Sequence, residues 1–500
     1  MRRSPASPSG LAGLFDPHSH ERSTGSRSFE VTLSDTPASR LAHNWSALLP
    51  EQREVVEPRP SKSPGAHQID CRGAGERLLS QGQARGSGAL DVLVLDAQYR
   101  QSLACMRVFG RRGLAVGAIA CEAEAWAPSF SSRWCAFHAT VPDFARTGDG
   151  YIDELLQLID DHHVQFIVPA HDGSIATLRK RRSEIERHTA LPLAHERALD
   201  VAVNKERTLQ LAAELRVRVP RTITARDQDD VRAATAELGL PVVVKPVESW
   251  LEASANSERV RAHSAISMTA AHGYAESVFL RGGHVLMQEW LPGHRDAVSV
   301  FRAHGQSWAK FAQRSRREWP ILGGASVFYE SIALDRELDR ASESLVDAMD
   351  LDGCSVVEYR RDREGMPVLM EVNPRMAGSV GLAVTCGVDF PGMLRSWALG
   401  APLERTVSYR VGRRARWLAG DVRSLWNNFV EQGSPDSVPR AQAMATFLTD
   451  FVTHPSKVEP MDWKDVRPAV AEFRAFAVEI AHRRLRMATS SLNGPRSRNH

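Results

Sequence analysis

Excess charge of either sign is missing: 63 Lys and Arg stand against 60 Asp and Glu, a formal balance of +3. That leaves no broad electrostatic footprint for nucleic acid. No apolar run approaches the ~18 residues needed to cross a bilayer. The start, MRRSPASPSGLAGLF, lacks the apolar stretch of a secretory signal. The six cysteines (71, 105, 121, 135, 354, 386) fall singly, with no CxxC pair and no Cys/His spacing of a zinc site. They read as buried or free thiols of a reducing compartment. These exclusions leave a cytoplasmic globular protein, with neither nucleic acid nor membrane as partner. Its 500 residues suffice for two to four domains, at roughly 100–200 residues each.

Residues 1–89 are rich in Ser, Pro, Gly and Arg and show no sustained period of 2 or 3.6. Such a stretch buries too little apolar area to offset its ordering entropy, so disorder is expected there. It is either a functional tail or the product of a start codon set too far upstream. From Asp91 the pattern changes. DVLVLDA, LAVGAIA and QFIVPA are apolar runs of strand length, separated by the helical stretches QSLACMRVFGRRG and YIDELLQLIDDHHV. This alternation implies a parallel sheet covered on both faces. The first turn has no GxGxxG, so no dinucleotide site is supported. A helix over 204–215 follows. Then LPVVVKP, HVLMQEW, DAVSVFRA, CSVVEYR and PVLMEVN mix with helices around 334–349 and 390–399, an α+β pattern. The chain closes on a basic, Trp-containing stretch and a helix carrying Phe473, Phe476, Ala477, Ile480 and Leu485.

CSVVEYRRDREGMPVLMEVNPR, residues 354–375, holds the most chemistry. Two strand-like runs flank Arg363-Glu364-Gly365-Met366, where Gly365 supplies φ > 0 for a tight turn. Symmetry about the 364/365 bond sets Glu358 directly opposite Glu371. Asn373 then shares their face, while Met370 and Val372 point into the core. Like charges in that position destabilise a sheet unless a counter-charge is present. Two carboxylates, an amide oxygen and Arg375 suit Mg²⁺ held against phosphates; the bland alternative is a solvated sheet face. Lys245 ends the apolar strand VVVKP and Lys205 opens a helix. Alone, each reads equally as a snorkelling surface lysine. Beside an acidic metal site they supply the cations that a triphosphate needs. Glu289–Leu291, where HVLMQEWLPG runs from strand into linker, offers backbone to an adenine edge, and Asp296 a carboxylate to ribose hydroxyls.

In this order and spacing, residues 90–400 resemble an ATP-grasp enzyme. MEVNPRMAGSVGLAVTCGVDFP, RREWPILGGASVFYES and RVGRRARWLAGD are similar to a bacterial subgroup related to carbamoyl-phosphate synthetase and biotin carboxylase, mostly described as carboxylate–amine ligases. The resemblance implies α/β and α+β architecture: a Rossmann-like pre-ATP-grasp domain (90–200) followed by the two-lobed ATP-grasp fold (201–400, lid about 222–288). An extension (401–487) and a tail (488–500) would complete the chain. It further implies that Lys205 and Lys245 hold ATP phosphates, with Lys245 near the adenine. Glu289 and Leu291 would contact the base, Asp296 the ribose, and Glu358, Glu371 and Asn373 Mg²⁺ or Mn²⁺. Arg375 would stabilise the acyl-phosphate and the tetrahedral intermediate.

The implied activity joins a small-molecule carboxylate to an amine, with a homodimer as one expectation for the assembly. A nucleotide-binding regulatory or scaffold module without turnover is the alternative. Arg317, in a run with Arg314 and Arg316, and Gly324, in a Gly-Gly bend, are candidates for the substrate side; a solvated basic face is the other reading of that run. His171-Asp172 after QFIVPA is either a binding loop or a satisfied turn. One departure stands out. The loop after Lys245, VESWLEASANSERV, has no glycine to let its backbone approach phosphates. Ser249, Ser254 or Ser257 would have to substitute, or the loop closes only with substrate.

Overall fold

The computed structural model describes residues 88–124, 126–251, 257–321, 324–431, 435 and 437–492, with backbone alone beyond 480. The expectations for residues 1–87, Ser254 and the last eight residues lie outside the described residues. Strands β1 (Val92–Val94), β2 (Val116–Cys121), β3 (Cys135–Val141) and β4 (Phe166–Val168) pair in parallel, in the order β3-β2-β1-β4. Helices α1 (Arg100–Arg111), α2 (Gly148–Asp161) and α3 (Asp172–Lys180) connect them or follow them. Strand alternation feeds both faces. Leu93 and Ile167 pack with Leu155 and Ile159, whereas Val92, Val94 and Val168 pack with Met106 and Phe109.

Helices α4 (Arg182–Ile185), α5 (Glu196–Val203) and α6 (Lys205–Glu214) lead on. The helix expected from 204 begins where Asn204 accepts the Arg207 N–H at 3.0 Å, an N-cap that satisfies an orphan donor. Next come β5 (Thr222–Ala225), α7 (Gln228–Leu238), β6 (Val242–Pro246), the hairpin β7 (Trp250–Leu251) and β8 (Glu258–Arg259), β9 (His263–Ala265), α8 (Met268–Phe279) and β10 (Val285–Glu289). Four of these strands form an antiparallel sheet, β5-β10-β6-β9. Its core of Val231, Val242, Val244, Ala271, Val278 and Met287 is its own.

The largest sheet orders β15-β14-β11-β12-β13-β16-β17. It is built from β11 (Arg295–Ala303), β12 (Gln306–Trp319), β13 (Ala325–Ser331), β14 (Gly353–Arg361), β15 (Pro367–Asn373), β16 (Arg414–Trp417) and β17 (Lys457–Glu459). Helix α9 (Arg336–Ala348) precedes β14, and α10 (Val380–Cys386) and α11 (Phe390–Ala398) follow β15. Helices α12 (Leu418–Val430), α13 (Arg440–Thr453) and α14 (Arg467–Leu492) close the chain, α14 running past the expected boundary at 488. Ala477 and Ile480 are exposed on it. This sheet shares its core with the opening one: Leu93 and Ile167 belong to one cluster with Val298, Val357 and Val372. Among the described residues the five cysteines are free thiols, and no helix is long and apolar enough to cross a membrane.

The β14–β15 hairpin departs from its expected form in two ways. Its strands end at Arg361 and Pro367, so residues 362–366 make a longer loop, with Gly365 at φ +81°. A bulge then separates Glu358↔Glu371 from Tyr359↔Leu369. The extra residue is Met370, which is half-buried, while Leu369 takes the core position expected of it.

Candidate active site

Beyond the bulge the register is the symmetric one: Glu358 pairs with Glu371, Val357 with Val372, and Val356 with Asn373. Asn373 Nδ2 donates to Glu371 Oε1 at 3.0 Å and lies 3.5 Å from Glu358 Oε1, so one amide ties the two acids. Arg295 adds a counter-charge the sequence reading missed. Its Nη1 donates to Glu358 Oε2 at 3.1 Å, and its Nη2 to Ser326 Oγ at 2.8 Å. Arg295 lies two residues before Ala297, the partner of Glu358 on β11, and so shares its face. The carboxyls diverge in acidity. Burial and Glu371 raise the Glu358 pKa against the pull of Arg295. Burial also opposes the charge of Glu371, but Lys205 and Lys245 outweigh it and keep Glu371 ionised.

Both lysines are buried at this acid pair rather than snorkelling outward. Lys245 sits on β6 opposite Leu286 of β10; burial pushes its pKa down to about 8, against the attraction of Glu371. Lys205 opens α6, its N–H bonded to Val247 O at 2.9 Å, and its Nζ donates to Ser249 Oγ at 2.8 Å. Burial lowers its pKa while Glu371 and Asp172 oppose the shift. Ser249 of the glycine-free loop thus touches a lysine of the site.

Arg375 lies just beyond β15. Its Nη2 is 3.4 Å from Asn373 Oδ1, and its Nε donates to Asp172 of the opening α/β unit. Burial works against this guanidinium's charge, but Asp172 more than compensates. His171, just before Asp172, is the N-cap of α3, with Nδ1 accepting the Gly173 N–H at 3.1 Å. His171 Nε2 is buried without a hydrogen-bond partner, so the turn is satisfied at one ring nitrogen only, while Asp172 beside it contacts the candidate site.

Glu289 ends β10, and Leu291 is buried just after it. The Glu289 side chain accepts the Arg221 N–H at 2.8 Å, and its own N–H donates to Arg221 O at 3.1 Å. Three other expected residues are not placed for their roles. Asp296 is fully buried and gripped by Arg314 (2.8 and 3.2 Å) and Arg361 (2.9 Å), so it presents no oxygen to a ribose. Arg317 points into the C-terminal extension, where Asp421 takes Nε and Nη2 at 2.6 and 2.9 Å and Asp450 takes Nη1. All three guanidine nitrogens are engaged there, which leaves none for a substrate. Gly324 closes the turn before β13; a Cβ on it would lie 1.9 Å from Trp319 O, which explains the glycine by sterics alone.

A family model described as ATP-grasp in the biosynthetic pathway with Ter operon matches residues 283–420, the stretch that carries Arg295, Glu358, Glu371, Asn373 and Arg375. That stretch matches the ATP-grasp superfamily. Among curated relatives, a D-alanine–D-alanine ligase of Pseudomonas putida (strain GB-1) is 27% identical over 191 residues, covering 35% of this chain and 54% of the relative. A formate-dependent phosphoribosylglycinamide formyltransferase of Oleidesulfovibrio alaskensis is 36% identical over 132 residues, covering 26% and 32%. The chain thus spans about half the length, or less, of these curated relatives. A biotin carboxylase of Campylobacter jejuni, solved with a β,γ-ATP complex, shares the fold. Its TM-score is 0.53 at 13% identity, over 65% of this chain and 74% of that one. The biotin carboxylase domain of Hydrogenobacter thermophilus 2-oxoglutarate carboxylase, solved with MgADP and bicarbonate, gives 0.51 at 14% identity, over 65% and 73%.

A divalent cation fits the acid pair. Two hard carboxylates stand directly opposite each other, and a cation between them would add to the relief that Arg295 gives Glu358 and the lysines give Glu371. Among the described residues no group of three or more His, Cys, Asp and Glu is arranged for a metal; the two acids are the donors, and Asn373 would join them only by turning its Oδ1, which now faces Arg375, toward the cation.

Proposed function

We propose that this protein is an ATP- and Mg²⁺-dependent ligase of the ATP-grasp superfamily that activates a small carboxylate as an acyl-phosphate for attack by an amine. The convergence of opposed Glu358 and Glu371 with Lys205, Lys245 and Arg375 carries this reading. A dead nucleotide module would have no use for two half-buried like charges kept side by side. The likeness to a D-alanine–D-alanine ligase supports the amide-forming class.

In the first step a carboxylate oxygen of the substrate attacks the γ-phosphorus. The bond to the β,γ-bridging oxygen breaks, and ADP leaves with the electron pair. The amine then attacks the acyl carbon, inorganic phosphate departs, and a proton passes to solvent. Lys205 and Lys245 hold the phosphates, and Arg375 faces the charge that builds on the acyl oxygen. Glu289 and Leu291 flank the base at the exit of β10. Glu358, Glu371 and Asn373 would hold Mg²⁺, which supplies charge neutralisation at the phosphates. Most of the acceleration comes from positioning reactants among fixed charges rather than from a covalent enzyme intermediate. ADP release in Mg²⁺ should rise with at least one pool of carboxylates plus amines. Tight ATP binding with no stimulation by any pool would replace this reading with a regulatory nucleotide module.

A further inference from the structure

Asp172 joins three parts of the chain. It opens α3 in the opening α/β unit, yet its carboxylate accepts from Arg375 Nε, and Arg375 Nη2 lies 3.3 Å from Oδ2. On its other side Arg259 of β8 brings Nε to 3.1 Å of Oδ2, an ion pair without hydrogen-bond alignment. Burial alone would raise this carboxyl's pKa; the two guanidiniums hold it far below the usual carboxylate range.

The loop that carries Asp172 is fixed from behind. Asp96, itself buried at φ +54°, accepts the Ala170 and His171 N–H groups at 2.9 Å each through Oδ2, and the Ser174 hydroxyl at 2.7 Å. The β7–β8 hairpin meets the same loop through a second contact. Trp250 stands edge-on to His171 at 6.0 Å between centroids and 5.5 Å from Phe144. A Cβ on Gly173 would come within 2.5 Å of the indole, so the seat requires that glycine. Ser257 N–H adds a bond to Ala145 O at 2.8 Å.

We propose that Asp172 is a positioning residue that sets the Arg375 guanidinium for the reacting acyl group and anchors the β7–β8 hairpin beside it through Arg259. The charge balance suits this role. Two guanidiniums against one carboxylate leave one net positive charge, so an anionic transition state is still met by an oriented donor. It also gives the glycine-free loop a physical logic: its base is held by an indole and a guanidinium on the opening unit, instead of by glycine backbone laid on phosphates. The opening unit thereby becomes part of the active site.

The Arg375 half of the proposal rests on the ligase reading, so the test reads both turnover and amide hydrogen exchange of the full chain. Asp172→Asn should lower kcat for ADP release about 10- to 100-fold, with the KM for ATP within about threefold, as expected for a misplaced catalytic group. Exchange should quicken in peptides covering β7, β8 and 371–378, and Asp172→Glu should recover part of both effects. Arg259→Gln should quicken β7 and β8 alone. Full kcat in Asp172→Asn, or unchanged β7–β8 exchange in either it or Arg259→Gln, overturns the proposal. If the wild type releases no ADP with any pool, the ligase reading fails, and exchange alone still decides whether Asp172 is the anchor. Should Asp172→Asn not fold, Arg259→Gln decides in its place.

Discussion

Two buried groups of arginine and carboxylate lie toward opposite edges of the seven-stranded sheet, and they are built on opposite rules. Toward β16, Arg317 and Arg416 meet Asp421 and Asp450. Asp421 takes two bonds from Arg317, Arg416 Nη1 lies 3.2 Å from it, and Asp450 also takes His454 at 2.9 Å. Arg416 is fully buried, its guanidinium 3.9 Å from the Phe451 ring centroid and 4.5 Å from that of Phe328. Opposite charges face each other, although Arg416 makes only the ion pair and no hydrogen bond, and the cluster ties the C-terminal helices to the sheet. Toward β15, two glutamates face each other and the neighbouring cations converge on them. A fold gains nothing from like charges paired across strands. The matched group reads as scaffold, and the mismatched one is where the proposed cation and phosphates would bind.

Removing one member of each group should separate them. Asp421→Ala strips the fully buried Arg416 of its nearest carboxylate and Arg317 of two of its three bonds, and should cost about 3–5 kcal/mol of stability, read as a lowered urea midpoint. kcat per folded molecule should not change. Glu371→Gln should do the reverse, cutting ADP release by about 10²–10³-fold as expected when a fixed charge of the reaction centre is lost. Its urea midpoint should fall less than that of Asp421→Ala, because relief of the contact with Glu358 offsets part of what Lys205 and Lys245 lose. Unchanged turnover in Glu371→Gln would remove the acid pair from the chemistry and erase the contrast.

The acid pair was legible because a hairpin is local: a glycine at the turn and alternation along two strands suffice to set Glu358 against Glu371. Even there Met370 misled, since a bulge shifts parity and leaves no mark in the residue pattern. The contacts that were missed are long-range. Nothing near Arg317 announces Asp421 about a hundred residues on, so an arginine beside a Gly-Gly bend looked like a substrate ligand. Asp296 matched a family position, but its two arginines arrive from β12 and β14. Arg295 faces Glu358 only because β11 and β14 are neighbours, a pairing the sequence order does not dictate. Asp172 and Arg375 stand 203 residues apart. The strand runs and helices of the three sheets follow from periodicity; which strand edge meets which does not.

A buried group that ought to be neutral probes the boundary between the opening unit and the site. Burial, aided by Arg259 and Arg375 and opposed by Asp172, pushes the His171 pKa down to about 3 from a reference of 6.5. The unfolded chain therefore binds a proton that the folded one refuses. Stability should fall as pH drops from about 6.5 towards 3. The slope should exceed that of His171→Asn by up to about 1.4 kcal/mol per pH unit. Equal slopes in acid urea titrations would mean that the ring charges in place and that its packing, edge-on to Trp250 and stacked on Tyr99 at 5.0 Å between centroids, is loose.

The smallest effect expected is at Ser249, and it bears on how firmly the cations of the mismatched group are held. Its hydroxyl accepts from Lys205 Nζ at 2.8 Å, a single bond where the Arg317 cluster uses several. A hydrogen bond to a charged group contributes about 1.5–3 kcal/mol when its partner is left unpaired. Here an ATP phosphate would take over Lys205, so most of that loss should be recovered on binding. Ser249→Ala should therefore raise the KM for ATP by only about 3- to 5-fold, equivalent to about 1 kcal/mol, and leave kcat unchanged. A loss of kcat comparable to that of Glu371→Gln would instead place this hydroxyl among the groups that act in the transition state, and the glycine-free loop with it.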